Sequence, residues 1–428
     1  MEKYEKYKDS GEKWLGEVPE EWDVKRLACY FSERKVKVSV DDYEPLSVTK
    51  KGIFPQLENV ARSNDTDNRK QVLKEDFVIN SRSDRRGSSG ISNYDGSVSL
   101  INIVLKPRKT LYPDFCNYLL KSEAFINEYY RNGRGIVADL WTTRYQEMKM
   151  IKVAIPKMDE QIAITHYLDS ATSNLDRAIS QQQNMIDLLN ERKQIIIQNA
   201  VTKGLDSNVK MKDSGIDWIG EIPIYWETRR LDFCAWIRAR LGWKGLKASE
   251  YTDTGYPFLS AFNIVNKQLC WEPINFINRQ RYEESPDIKL KIGDILLVKD
   301  GAGIGKCARV DLLPLGESTA NGSLAFITPN KDVNYKYLYY FIISDSFKQL
   351  TSILINGMGV PHLTQGEMKK VKIPLPPINE QNRIAVCLDN KIGKLNKAIN
   401  SVQVLIEKMQ ERKQIIINDV VTGKVKVS

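Results

Sequence analysis

The sequence predicts an α+β chain with two globular domains joined by two long helices packed as an antiparallel coiled coil, arranged as a pseudo-twofold internal repeat. Three observations lead there. A 20-residue flank occurs twice, two stretches carry apolar residues at heptad spacing, and short β-rich runs alternate with turns between flank and helix.

The flank reads KDSGEKWLGEVPEEWDVKRL at 8–27 and KDSGIDWIGEIPIYWETRRL at 212–231, identical at 11 of 20 positions, among them Trp14/Trp218, Gly16/Gly220, Pro19/Pro223 and Trp22/Trp226. A second pair lies downstream: EQIAITHYLD starts at Glu160 and EQNRIAVCLD at Glu380, and ERKQIII occurs at 191–197 and 411–417. The offset is 204 for the flank and 220 for the later motifs, so the second copy holds the longer middle. Copies kept alike at their ends and different in their middles imply one scaffold displaying two recognition surfaces.

Each copy ends in a helix. Leu168, Leu175, Gln182, Leu189 and Ile196 fall seven apart, as do Leu388, Leu395, Val402, Met409 and Ile416. Ile179/Ile399, Ile186/Ile406, Ala178/Ala398 and Met185/Leu405 are expected to widen the stripe. Sustained over this length, the pattern is a coiled-coil seam. Pro156, Pro374, Pro376 and Pro377 set each start. The simplest burial is of one seam on the other, antiparallel; pairing with another protein or dimerisation is the alternative. A polar Gln182 in the seam fixes register. The expected domains are 1–157, a first long helix at 158–204, 205–375, and a second long helix at 376–428.

Within the middles, Glu75–Ile79, Val98–Leu105, Asp294–Val298 and Leu324–Ile327 read as strands, and Pro113–Tyr130 and Tyr335–Leu350 as helices. The aromatic cluster Tyr335, Tyr337, Tyr339, Tyr340 and Phe341 is read as core in preference to a base-stacking platform.

With 63 Lys+Arg against 54 Asp+Glu the formal charge is +9, which fits an anionic partner without proving one. Six cysteines without a CxxC pair argue against a zinc site or a disulfide framework, and two histidines leave little material for a metal centre or a Ser–His–Asp triad. No apolar run approaches the length of a membrane span and no signal peptide opens the chain, so the expectation is a cytoplasmic protein without membrane contact.

Four loops invite a binding reading. Gly301-Ala302-Gly303-Ile304-Gly305-Lys306 follows a strand, but a P-loop requires Gly in place of Asp300 and Ser or Thr in place of Cys307. It is a candidate DNA contact through its N–H groups with Lys299, Gly303 and Lys306, or else a plain glycine turn. The matching stretch of copy one, Asn80–Gly90, holds Arg82, Arg85, Arg86 and Ser88, residue types that grip phosphates and read guanine edges; a solvated loop is the alternative. The Asn-Gly-x-Gly loops at 132–135 and 356–359 differ at Arg134 and Met358. Nothing looks like a methyltransferase motif, a Walker A box or a nuclease cluster, so no catalytic or metal-binding residue is assigned.

Taken together, the repeated flank, the EQ entry to each helix, the repeated ERKQIII and the SRSDRRGSSGIS and DGAGIGK stretches resemble the specificity subunits of type I restriction–modification systems over nearly the whole chain. The resemblance implies two target recognition domains, each reading one half of a split, asymmetric site in double-stranded DNA. It implies helices that set the half-site spacing and dock two modification subunits, with restriction subunits completing the nuclease. It also implies that this chain is non-catalytic and carries no cofactor: S-adenosylmethionine, and ATP and Mg2+ for restriction, belong to the partners. Alternatives are a methylation-only assembly and a coiled-coil adaptor that does not bind DNA.

Overall fold

The computed structural model describes residues 2–56, 67–135, 141–239, 246–301, 303–354 and 362–427. The chain divides into two compact units, one made of Met1–Gln183 with Gln403–Ser428 and the other of Asn184–Val402. Each holds one copy's globule and a share of both long helices.

In the first unit a four-stranded antiparallel sheet runs in the order Ser89–Ile91, Phe77–Asn80, Asn102–Pro107, Phe31–Glu33. In the second, the same order recurs as Cys307–Arg309, Ile295–Val298, Leu324–Pro329, Ala235–Arg238. The residues facing inward are apolar in both: Phe77, Ile79, Ile103 and Leu105 in one, Ile295, Leu297, Ala325 and Ile327 in the other, all buried. Outside this sheet the copies diverge. Unit one adds strands Lys37–Val38, Arg69–Val72 and Gly96–Val98, whereas unit two adds Tyr256–Leu259 between Asn275–Ile277 and Thr319–Ala320.

The repeated motifs have matching structural jobs. The end of each flank pairs with the strand that precedes the long helix, Asp23–Arg26 on Lys152–Ile155 and Glu227–Arg230 on Lys372–Leu375. The flank indoles Trp22 and Trp226 are buried and donate to the helix-entry carboxylates, Trp22 Nε1 to Glu160 at 3.2 Å and Trp226 Nε1 to Glu380 at 3.1 Å. The next residue is a buried glutamine clamp. Gln161 accepts from the Tyr112 amide and donates to the Thr110 and Pro156 carbonyls. Gln381 does the same with Asn334, Asp332 and Pro376. A buried amide that satisfies three backbone groups fixes where the helix starts, because replacing it would orphan all three.

The expected helix at Pro113–Tyr130 is two helices, Pro113–Lys121 and Glu123–Arg131, and Tyr335–Leu350 is likewise Tyr335–Ile342 and Asp345–Leu354. The serine of each LLKSEAF or FIISDSF stretch causes the break. Ser122 Oγ donates to Leu119 O and accepts from Phe125 N, and Ser344 Oγ does so with Phe341 and Phe347. A hydroxyl that caps the second helix competes with continuing the first. The tyrosines between are core, as expected: Tyr337, Tyr339, Tyr340 and Phe341 are buried.

The long helices span Met158–Lys203 and Ile378–Val421. In unit one Leu168 shares a core with Ile417, Val420 and Val421, so the start of the first helix meets the end of the second. In unit two Ile197, Ala200 and Val201 share a core with Ile384, Leu388 and Ile392, again start to end. Pairing is therefore antiparallel in each unit. Leu168 and Leu388 are fully buried, while Leu175, Leu189, Ile196, Leu395, Met409 and Ile416 are half-buried. A second series three or four residues along completes the stripe, with Thr172, Ile186, Ala200, Ile392, Ile406 and Val420 buried. One polar contact is made twice from equivalent positions: Lys413 reaches Asp176 at 2.7 Å in unit one, and Lys193 reaches Asn396 at 2.8 Å in unit two. Met185 and Leu405 do not widen the seam. They face outward, 47% and 41% exposed, because the seam alternates by three and four residues and they fall beside it.

Close packing explains one glycine. Gly423, just past the second helix, has φ +74°, and a Cβ there would stand 2.3 Å from Pro19 of the flank. Only glycine lets that helix end dock there.

Candidate nucleic-acid interface

The two stretches singled out in the sequence are equivalent loops, one in the four-stranded sheet of each unit. Residues 81–88 connect the strands Phe77–Asn80 and Ser89–Ile91, and residues 299–306 connect Ile295–Val298 and Cys307–Arg309. Both are hairpins, so the Gly301–Lys306 loop leads into a strand, whereas a phosphate loop leads into a helix.

Their backbones share one frame. Asn80 N donates to Ser88 O at 2.9 Å and Val298 N to Lys306 O at 2.8 Å. Ser88 N meets Arg85 O as Lys306 N meets Gly303 O, each at 3.0 Å, and Arg86 N meets Ser83 O as Ile304 N meets Gly301 O. Gly87 and Gly305 occupy the same place with φ +79° and +85°, a turn position that glycine takes without strain. A crossing segment closes each loop on its other side, Thr143 N donating to Ser81 O at 3.0 Å and Leu363 N to Lys299 O at 2.9 Å.

This frame corrects the expected role of the glycine loop. The amides of Ile304, Gly305 and Lys306 are already bonded inside the turn, so they are not free to grip phosphates. Lys299 is mostly buried and ion-paired with Asp300, whose other oxygen meets the His362 ring, so its charge is largely compensated. Lys306 is exposed, and Gly303 is half-buried beside Ala261.

Copy one presents different chemistry on the same frame. Arg82, Arg85 and Arg86 are exposed. Arg86 reaches Asn127 and lies 5.7 Å over the Tyr130 ring, while Arg82 and Arg85 have no side-chain partner among the described residues. Burial pushes the Tyr130 phenol up to about 12, against the Gly87 amide and Arg86, so it stays a neutral donor to Asn80 O. Ser88 is buried and belongs to the framework of the loop, not to its rim. Arg134 joins the cluster: its backbone pairs with Thr142, one residue before the crossing segment meets Ser81, and its side chain is 84% exposed, 3.7 Å from Glu147. Met358 lies outside the described residues, so its pairing with Arg134 is not part of this geometry.

Sequence reasoning missed the crossing segments. Trp141, 38% exposed, accepts from the Ser83 amide, and His362, 48% exposed, sits against Asp300. Aligning Met148 with Met368 puts Thr142 opposite His362, a signal available in the sequence.

Among the described residues no group of three or more His, Cys, Asp or Glu is placed to hold a metal ion, and no helix is long and apolar enough to cross a membrane.

The family model for the type I restriction modification DNA specificity domain matches residues 223–403. The MjaVIII type I restriction enzyme specificity subunit of Methanocaldococcus jannaschii is 25% identical over 424 residues, 96% of this chain and 94% of that one. The chain is similar to type I restriction enzyme specificity subunits along nearly its whole length. The Escherichia coli EcoKI specificity subunit is 22% identical to this chain over 209 residues, 48% of this chain and 44% of that subunit. A chain from a solved structure on complex assembly and conformational transition of the type I system superposes with a TM-score of 0.71 at 15% identity, covering 95% of this chain and 99% of that one, which establishes the shared fold.

Proposed function

We propose that the chain is the non-catalytic DNA-recognition subunit of a type I restriction–modification complex, each globule reading one half of a split, asymmetric duplex site. The observation that carries this reading is the shared loop frame with exchanged side chains. Where one copy carries an arginine cluster at Arg82, Arg85, Arg86 and Arg134, the other carries Asp300, Lys306 and His362 on the equivalent frame. A frame held constant while its side chains change is what two different half-sites require, since base edges are read by side chains and the backbone sets their placement.

The long helices set the half-site spacing and dock two adenine-methylating modification subunits, which carry S-adenosylmethionine; restriction subunits bring ATP- and Mg2+-dependent cleavage. Exposed apolar residues outside the seams support a docking role: Met185, Leu188 and Ile195 in unit two, and Val404, Leu405 and Ile415 in unit one. Met185 and Ile195 are the repeat equivalents of Leu405 and Ile415, which fits one subunit docking per copy.

The test is an exchange of residues 28–147 for those of another specificity subunit, followed by sequencing of methylated adenines in cells with and without the chain. One half of the methylated site is expected to change and the other to persist. Changes in both halves, or methylation independent of the chain, would overturn the reading.

A further inference from the structure

We propose that Phe262 is an aromatic wedge that stacks into a base step of the half-site read by the second copy, an inference that rests on the DNA-reading function above. Phe262 is 93% exposed, the most exposed large apolar side chain among the described residues. Leaving a phenyl ring in water forgoes the burial that ordinarily places phenylalanine inside.

The ring does not ride on a loose loop. It is the middle residue of a one-turn helix, Ala261–Asn263, whose ends are tied down. Ser260 N donates to Asn263 Oδ1 at 2.9 Å, and Ser260 Oγ accepts from Phe262 N. Asn263 is buried and donates to the Cys270 and Pro273 carbonyls at 3.0 and 3.1 Å, and its own carbonyl accepts from Cys270 N at 2.8 Å. Leu259 before the turn and Ile264 after it are anchored in one core cluster. The turn is thus a pedestal with its polar groups bonded and a single large apolar side chain projecting from it.

The pedestal stands in the candidate interface. Ala261 is the side-chain neighbour of Gly303 in the 299–306 hairpin, where a Cβ on Gly303 would come within 3.8 Å of it, and the same Cβ would stand 3.6 Å from Lys306 Cδ. Asn321 N donates to Leu259 O, and Ser323 O accepts from Lys299 N, so the segments carrying Phe262, Lys306 and His362 are knitted together. A cation and an exposed ring on adjacent rigid turns is the pairing by which proteins hold a phosphate while wedging a base step open. Copy one offers Trp141, beside its own arginine hairpin, as the nearest comparable ring.

The test uses the full chain and a short duplex bearing its methylated sequence, with 2-aminopurine placed in turn at each position of the copy-two half. Wild type is expected to raise 2-aminopurine fluorescence at one step. Phe262→Ala is expected to abolish that rise and weaken duplex binding roughly 5- to 150-fold, the range of one base–aromatic stack, with an unchanged melting temperature, while Phe262→Trp keeps both signals. A Phe262→Ala chain that binds and unstacks like wild type overturns the wedge and leaves the DNA-reading function standing. Unchanged duplex binding with lost co-purification of the modification subunit also overturns it, by assigning the ring to a protein interface. A wild-type chain with no preference for its methylated sequence overturns the recognition function itself.

Discussion

Replacing Arg82 and Arg85 together by alanine separates two ways in which the copy-one hairpin can meet DNA. Both guanidiniums are exposed and neither has a side-chain partner among the described residues, so each is free to form a new charge-assisted contact. If both neutralise phosphates, each contributes about 0.9 to the slope of log K against log salt, and the double variant's slope is shallower by about 1.8. Between 50 and 200 mM salt, wild type then loses about 12-fold more affinity than the variant. Fluorescence anisotropy on the methylated sequence and on a scrambled duplex, over that salt range, reads the slope directly. If instead they read base edges, the slope holds and discrimination against a changed base pair falls by about 1–3 kcal/mol per arginine. An unchanged slope with unchanged discrimination would refute the placement of this hairpin against DNA. Arg86→Ala is the internal comparison and is expected to do less, because Arg86 is already engaged by Asn127 and the Tyr130 ring.

Trp226→Phe removes a buried donor to Glu380 and is expected to destabilise unit two by about 2–4 kcal/mol in urea unfolding, with Trp22→Phe doing likewise in unit one through Glu160; losses under about 0.5 kcal/mol would deny these indoles their fastening role. Burial, with Lys348 and Lys193 nearby and against the pull of Asp345, holds the Lys267 ammonium down at about 8 from 10.5. Since the unfolded chain binds more protons between those values, this group's contribution to stability rises from pH 8 to 10.5. Lys267→Met is therefore expected to stabilise the chain at pH 7 and to lose that advantage as pH climbs through the window; a pH-independent gain would contradict the assignment. Deleting the heptad 182–188 alone is expected to impair assembly. Deleting its repeat equivalent 402–408 as well is expected to restore it on a site whose gap is shorter by about three base pairs, from about 10 Å of helix; an unmoved gap in the methylated sequence would end the ruler idea.

Where local chemistry and repeat symmetry agreed, the sequence was legible. The heptads placed the buried and half-buried seam from Leu168 to Ile196 and from Leu388 to Ile416, and the duplicated Trp and Glu-Gln motifs marked contacts that both copies make. It was less legible where two rules compete. The apolar content of Pro113–Tyr130 reads as one helix, but Ser122 turns its hydroxyl onto the backbone and divides it. The glycines of 301–305 suggest open amides, yet pairing of Leu297 with Cys307 folds the loop back on itself and uses them. Ser88 matched a phosphate-gripping composition, but the hairpin turns it inward. Phe262 escaped notice because periodicity treats any phenylalanine near a strand as core, and only tertiary structure reveals a ring left outside.

The docking of Gly423 and its neighbours against the first flank has a consequence for how the chain is made. Unit two is one contiguous stretch, complete once residue 402 has left the ribosome, whereas unit one draws Ile417, Val420 and Val421 into its core and pairs Glu2 with Lys426. The half synthesised first is therefore the half finished last. Until the final helix emerges, Leu15, Val18 and Trp22 lack part of their cover, and a nascent chain with apolar surface waiting for a distant partner is the kind of species that aggregates or recruits chaperones. Translation order and maturation order run in opposite directions here, so the first globule acquires its finished core only when the last helix is in place.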